Sequence, residues 1–328
     1  MGQPPWHNRT AFSMTNTPQN SNVGAQARHF AERWAFPILL VGVFGAALSP
    51  ILVRLSEVGP IATAANRMAL PLPLFFALLW FRPQDRLRVS ATSRRDFWIL
   101  ILSGALFAGD LAFWNWSITL TSVANATVLA NTTPVFVVLA GWLLFREQVR
   151  FQFAIGLALA LGGVTVMMTE SFLASADNFT GDILGVVTAW WYAAYILTIS
   201  RARKRVSTAA TMAIGGLAAT IILWTLAATV EGNVWPETAR GWVVAFALAF
   251  VVQVGGQTLI AVALAHIPAG LGSMLLFLQP VLAASFAWAL FGESLSVWQL
   301  IGAGAIIAGI ETSRRSHRKH TATLAAPS

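Results

Sequence analysis

Apolar residues run through this chain in long stretches, and polar residues collect in the short gaps between them. A membrane-crossing helix needs about 20 apolar residues. By that measure the pattern predicts ten helices, at roughly 35–54, 61–81, 97–119, 123–145, 151–169, 181–200, 208–230, 242–265, 270–291 and 297–312. Residues 1–34 are polar, with no apolar run of signal-peptide type, and read as a disordered cytoplasmic tail. Residues 313–328 read as a basic cytoplasmic tail.

The pattern also repeats. The stretch from Asn131 to Gly163 returns 146 positions later as Phe277 to Gly309. Without a gap, Pro134 falls on Pro280, Trp142 on Trp288, Phe145 on Phe291, Glu147 on Glu293, Gly156 on Gly302 and Gly163 on Gly309. Two related segments, 35–169 and 181–312, therefore make up the apolar part of the chain, an arrangement common in transporters.

Composition narrows the class. The chain is 56% hydrophobic and 10% charged, against about a quarter charged in soluble domains, which makes it an all-α polytopic membrane protein. The net charge of +8 does not point to nucleic acid, because membrane proteins keep Lys and Arg in cytoplasmic loops. Arg82, Arg86, Arg88, Arg94 and Arg95, then Arg146 and Arg150, then Arg201, Arg203, Lys204 and Arg205, then Arg314, Arg315, Arg318 and Lys319 all fall on one side of a ten-helix chain. Glu57, Glu170, Asp177, Asp182, Glu231 and Glu237 fall on the other. Both termini are thereby expected in the cytoplasm. Five helices per repeat is an odd number, so the second repeat is expected to insert upside down, and the Arg pair flanking Glu147 is missing around Glu293. Cysteine is absent and no His pair has ligand spacing, so no thiolate or metal site is expected. No GxxxxGK[ST] loop occurs, and no cofactor is implied.

With the repeat in view, the chain resembles the drug/metabolite transporter superfamily, in its ten-helix EamA-type branch. The residues that carry the resemblance are Thr121-Ser122-Val123-Ala124-Asn125-Ala126, the series Pro134, Trp142 to Glu147, Gly156 and Gly163, its copy Pro280, Phe291-Gly292-Glu293, Gly302 and Gly309, and Pro60 followed by Arg67. The resemblance covers about residues 35–312. It implies a secondary transporter with helices 1, 3, 4, 6, 8 and 9 around a central site and helices 5 and 10 packed outside. Within the family the chain looks most like the aromatic amino-acid exporters. Drugs, sugars and nucleotide precursors are the family's other cargoes.

Candidate site residues follow from polarity inside the predicted spans. Asp110 lies near the middle of helix 3, about 15 Å from either end, where an unpaired carboxylate costs on the order of 3 kcal/mol. Ser103, Phe107, Asp110, Trp114, Ser117 and Thr121 share its face. Asp110 reads either as a substrate or proton site or as a structural carboxylate. Gln253 and Gln257 on helix 8 either line a cavity or bond helices together. Trp191 and Tyr195 share a face of helix 6 and are expected in the cavity wall. Asn131, Thr132 and Thr133, just before Pro134, read either as satisfying the carbonyls that the proline frees or as facing the substrate, and Ser49 with Pro50 has the same two readings. Asn131 and Phe277 join the candidate set, and Pro50, Pro134 and Pro280 are expected kinks or gates. Arg67 reads first as snorkelling or pairing with Glu57 and second as contacting the substrate. Glu147 and Glu293 read as caps, and the glycines of helices 5 and 10 as packing.

The expected function is export of small amphipathic metabolites, most of all aromatic amino acids, across a bacterial inner membrane by alternating access. The partners are a small-molecule substrate and the lipid bilayer, and the sequence leaves monomer or homodimer open. An intramembrane enzyme would need a nucleophile–base set or a second mid-membrane acid, which the spans lack, and a non-transporting sensor has no need of a repeat with matched kinks. On the Cys-free background, single cysteines at 177 and 237 should label from outside intact cells and one at 203 should not. External labelling at 203 overturns this topology.

Overall fold

The computed structural model describes residues 34–81, 93–121, 123–146, 149–167, 169, 179–203, 205–292 and 294–325. Glu147, Glu293, Glu170, Asp177 and Lys204 lie outside the described residues, as do Arg82, Arg86 and Arg88. The described residues form helices joined by short turns: α1 Trp34–Arg54, α2 Pro60–Phe81, α3 Arg94–Leu120, α4 Ala126–Phe145, α5 Phe151–Met167, α6 Phe179–Ala202, α7 Thr208–Val230, α8 Ala239–Ala263, α9 Ala269–Leu290 and α10 Val297–Ala325. Eight of these are long and apolar enough to cross a membrane, whereas α5 is a shorter apolar helix of 17 residues. α10 runs past the apolar stretch into the basic tail, a continuation that a count of apolar residues does not register.

Helix starts follow local chemistry. Ser93 caps α3 by accepting from the Asp96 amide, Ser207 caps α7 by accepting from Ala210, and Thr238 caps α8 by accepting from Gly241. Interruptions follow proline. α1 breaks at Ala47–Leu48, three residues before Pro50. α4 breaks at Asn131–Thr132 ahead of Pro134, and α9 at Leu276–Phe277 ahead of Pro280. A proline lacks the N–H for the carbonyl four residues back and its ring clashes with that carbonyl. In α4 Thr133 Oγ1 donates to Ala130 O, the carbonyl four residues before the proline, while Asn131 Nδ2 and Thr132 Oγ1 donate to Thr127 O and Leu129 O, which also accept backbone amides; each side-chain bond is 2.7 Å long.

Packing depends on small residues. α5 and α10 lie antiparallel in close backbone contact. A Cβ on Gly156 would strike Gly309, and one on Gly163 would strike Gly302; both relations also hold in reverse. α3 meets α7 at Gly104 and Gly215, and α1 meets α8 at Gly42, Gly45 and Gly256. The perimeter carries Trp80, Phe81, Trp142, Leu144, Trp288 and Leu290, all exposed, an outer surface suited to hydrocarbon.

The helix ends sort into two layers. At one end Arg205 approaches Asp96 to 3.7 Å, Arg201 lies 3.3 Å over the Phe145 ring and Arg314 lies 5.4 Å over Phe36. At the other end, two carboxylates are exchanged. Glu231, between α7 and α8, accepts from the Ile61 and Ala62 amides at 2.8 Å and so caps α2. Glu57, between α1 and α2, accepts from the Glu237 and Thr238 amides and from the Thr238 hydroxyl, at the start of α8. Each carboxylate rests against a glycine, Gly59 under Glu231 and Gly241 under Glu57, where a Cβ would collide with it.

Two outcomes follow. Gly302→Leu should open the α5–α10 contact and destabilise the fold by about 1–3 kcal/mol, read as a lower melting temperature in detergent. The bonds to Thr238 hold the Glu57 carboxyl below its ordinary value of 4.5. A lowered folded-state pKa gives stability that is present above that ordinary value and lost as pH falls through the lower one. The melting temperature should therefore drop as the medium is acidified below about pH 4.5, with a shallower drop for Glu57→Gln.

Candidate functional site

The breaks in α1, α4 and α9 surround a common space. A cavity of about 90 Å³ opens there, lined by Ser49 and Pro50 of α1, Phe107, Asp110 and Trp114 of α3, Asn131, Thr133 and Pro134 of α4, Tyr192 of α6, Gln257 of α8 and Gln279 of α9. These are the six helices that the family resemblance implies around a central site. A seventh, α2, contributes Arg67. The volume is well below the roughly 300–1,000 Å³ of pockets for drug-sized ligands.

Arg67 is 4% exposed and does not snorkel. Its Nε donates to Gln253 Oε1 at 3.1 Å, its Nη1 donates to Ser49 Oγ at 3.0 Å, and its guanidinium lies 5.9 Å from the Phe107 ring centre. The expected pairing with Glu57 does not form, because Glu57 is engaged at the start of α8. Asp110 is 8% exposed and lines the same cavity. Among the described residues no hydrogen bond or ion pair reaches its carboxylate. Arg67 and Asp110 are nonetheless close enough for each to feel the other's charge.

Local structure explains how Gln253 and Gln257 both reach this region. Leu248–Gln257 is π-helical, and the wider turn brings residues four and five apart into line. Gln253 holds Arg67, and Gln257 Oε1 accepts from the Tyr192 hydroxyl at 3.3 Å. Thus Gln257 lines the cavity, while Gln253 stands behind it beside a smaller cavity of about 20 Å³ that also borders Ser103, Phe107 and Tyr195.

The polar face of α3 divides its work. Phe107, Asp110 and Trp114 face the cavity. Ser103 bonds Leu100 O within its own helix, and Ser117 and Thr121 bond Gly181 O and Asp182 at the start of α6.

Besides Gln253, four of the candidate residues lie outside the main cavity. Trp191 packs on Gly109 and lies 6.0 Å from Phe113, turned away from the site. Tyr195 stacks on Phe107 at 4.7 Å, one turn beyond the lining. Phe277 is fully buried in the core, and Pro280 is buried without lining the space. On α6 the wall is made by Thr188 and Tyr192, which have the same spacing as Trp191 and Tyr195 but sit three residues earlier, about 60° round the helix. Ser49, read as serving either a freed carbonyl or the substrate, does line the cavity, whereas the sequence reasoning missed Gln279. Gln279 had a signal in the repeat, since it is the partner of Thr133, and both immediately precede the matched prolines.

Comparison with known proteins agrees with this anatomy. A solved crystal structure matches with a TM-score of 0.73 at 20% identity, covering 87% of this chain and 98% of the other; at that identity the likeness speaks for the fold. The threonine/homoserine exporter RhtA of Escherichia coli K12 is 29% identical over 280 residues, spanning 84% of this chain and 88% of its own. An uncharacterized transporter of Archaeoglobus fulgidus is 25% identical over 273 residues, 82% and 92% of the two chains. The EamA-like transporter family matches residues 33–169 and again 179–312. With both segments matched over most of its length, the chain belongs to the EamA-like transporter family and is a multi-pass membrane transporter.

Proposed function

We propose that this protein is a secondary transporter that exports amino acids across a bacterial inner membrane by alternating access. The observation that carries the reading is the cavity: small, polar on several sides, and lined by two buried ionisable residues inside an apolar helical bundle. A carboxylate and a guanidinium at that depth mark a substrate or ion pathway far more often than a packing device. The exporter RhtA, named for threonine and homoserine, supports amino acids as the class. The modest volume disfavours drugs.

In this reading all of α1–α10 cross the bilayer, as two inverted repeats at 35–169 and 181–312 with cytoplasmic tails at 1–34 and 313–328. The reciprocal contacts of α5 and α10 support it. The 146-residue offset carries Gly156 to Gly302 and Gly163 to Gly309, and it exchanges the two contacts Gly156–Gly309 and Gly163–Gly302. A contact set that maps onto itself between antiparallel helices fits a twofold axis in the membrane plane. The breaks ahead of Pro50, Pro134 and Pro280 supply places where helix halves swing during access.

Aromatic amino acids are the second reading, favoured by Phe107, Trp114 and Tyr192 in the wall. Initial flux of labelled threonine, phenylalanine, a sugar and a cationic drug in proteoliposomes decides among these. Movement of one or both amino acids, with neither the sugar nor the drug carried, is the expected result. Trp114→Ala should lower phenylalanine flux several-fold and leave threonine flux largely intact. Carriage of the sugar or drug alone overturns the amino-acid reading.

A further inference from the structure

Arg67 and Asp110 present opposite charges to one cavity from neighbouring helices, yet no ion pair joins them among the described residues. Two buried charges kept apart are costly unless a third group completes them. We propose that a zwitterion is that group: Arg67 receives the substrate's α-carboxylate and Asp110 its α-ammonium, so that the protein selects solutes carrying both charges one carbon apart. This inference rests on the amino-acid reading and narrows it to the free, unblocked amino acid.

The surroundings are built for that division. Arg67 is fixed through Nε by Gln253 and through Nη1 by Ser49, which takes two of its five N–H donors and leaves the others for a ligand. The planar fork suits a carboxylate, which it can hold with two parallel bonds. The Phe107 ring beneath the guanidinium confines its position further. Asp110 accepts no bond from the described residues, so its lone pairs remain for an ammonium, which brings three donors. Trp114, Asn131 and Gln279 lie elsewhere in the lining and face whatever side chain the substrate carries.

The same arrangement rejects the family's other cargoes. A monocation would leave the guanidinium facing it uncompensated, and a monoanion would do the same to Asp110. A neutral sugar would leave both charges unmet, and leaving buried charged groups unpaired is more costly than losing a neutral contact.

The test uses the full chain purified in detergent. Ligand affinity is read from melting-temperature shifts against concentration, with proteoliposome flux run alongside. The probes are phenylalanine, its methyl ester, phenethylamine, its N-acetyl derivative and hydrocinnamate, with threonine, threonine methyl ester and N-acetylthreonine as a second series. The free amino acid of at least one series should bind about ten- to a hundredfold more tightly than every blocked analogue of that series. Asp110→Asn should weaken the free amino acid by a similar factor while leaving the N-acetyl compound unchanged. Arg67→Lys keeps the charge but loses the fork, and should weaken the free amino acid more than the ester. Should the arginine variant fail to fold, the ligand series and Asp110→Asn carry the test alone. Equal binding of ester, amine or N-acetyl compound overturns the proposal, and amino-acid flux in the same preparation would show that the export reading survives. If neither amino acid binds or moves, both fall together.

Discussion

Inside a bilayer every backbone amide and carbonyl must find its partner within the chain, because no water is there to supply one. The rest of this structure depends on that constraint. It makes the chain helical, and it makes each departure from a regular helix a place where something else has to take up the freed groups. In α4 three successive side chains, Asn131, Thr132 and Thr133, return hydrogen bonds to the carbonyls around the proline break. The polarity needed to tolerate the break is thereby placed on the wall of the cavity. Along α8 the π-helical stretch from Leu248 to Gln257 keeps its bonds by lengthening them in sequence, and two glutamines arrive at the site as a consequence.

Charge obeys the same logic with larger stakes. The described acidic residues other than Asp110 sit at helix ends, in loops or, for Glu311, where α10 leaves its apolar stretch, and amides, hydroxyls or arginines meet several of them. Arg67 is buried but braced from two sides. Among the described carboxylates, Asp110 alone combines deep burial with open lone pairs. That asymmetry is what separates a site from packing here: a structural carboxylate in a bundle this apolar would be expected to hold a donor of its own.

Much of this was legible in the residues. Helix positions, the far end of α10 excepted, followed from the apolar runs to within a few residues, because span length is set by bilayer thickness and caps such as Ser93 and Thr238 are local chemistry. Asp110, Trp114 and Phe107 were found because α3 has a polar face and therefore a readable phase. The failure on α6 has the opposite cause. That helix is apolar nearly all round, so nothing in its pattern told Tyr192 from Trp191, and its phase was settled by Gly109, whose bare backbone seats the indole of Trp191 away from the cavity. Arg67 was misjudged for a different reason. An arginine two turns inside a span ordinarily reaches for the nearest acid, and Glu57 was nearest in sequence. The residues that hold it, Ser49 and Gln253, come from separate helices, one of them far along the chain, and no local rule joins them.

The exchanged carboxylates at the end opposite Arg205 and Asp96 have a consequence for motion. Glu57 belongs to the first matched segment and caps a helix of the second, while Glu231 belongs to the second and caps a helix of the first. Neither segment can withdraw at this end without uncovering a helix start in each. Separation there is all-or-nothing: one bond set cannot be released while the other stays comfortable, since both report on the same gap. A catch of this kind would favour two discrete settings over a continuous tilt of helices, and it is made of carboxylates held by neutral amides and a hydroxyl, so its strength would rest on the geometry of two helix starts rather than on paired charges.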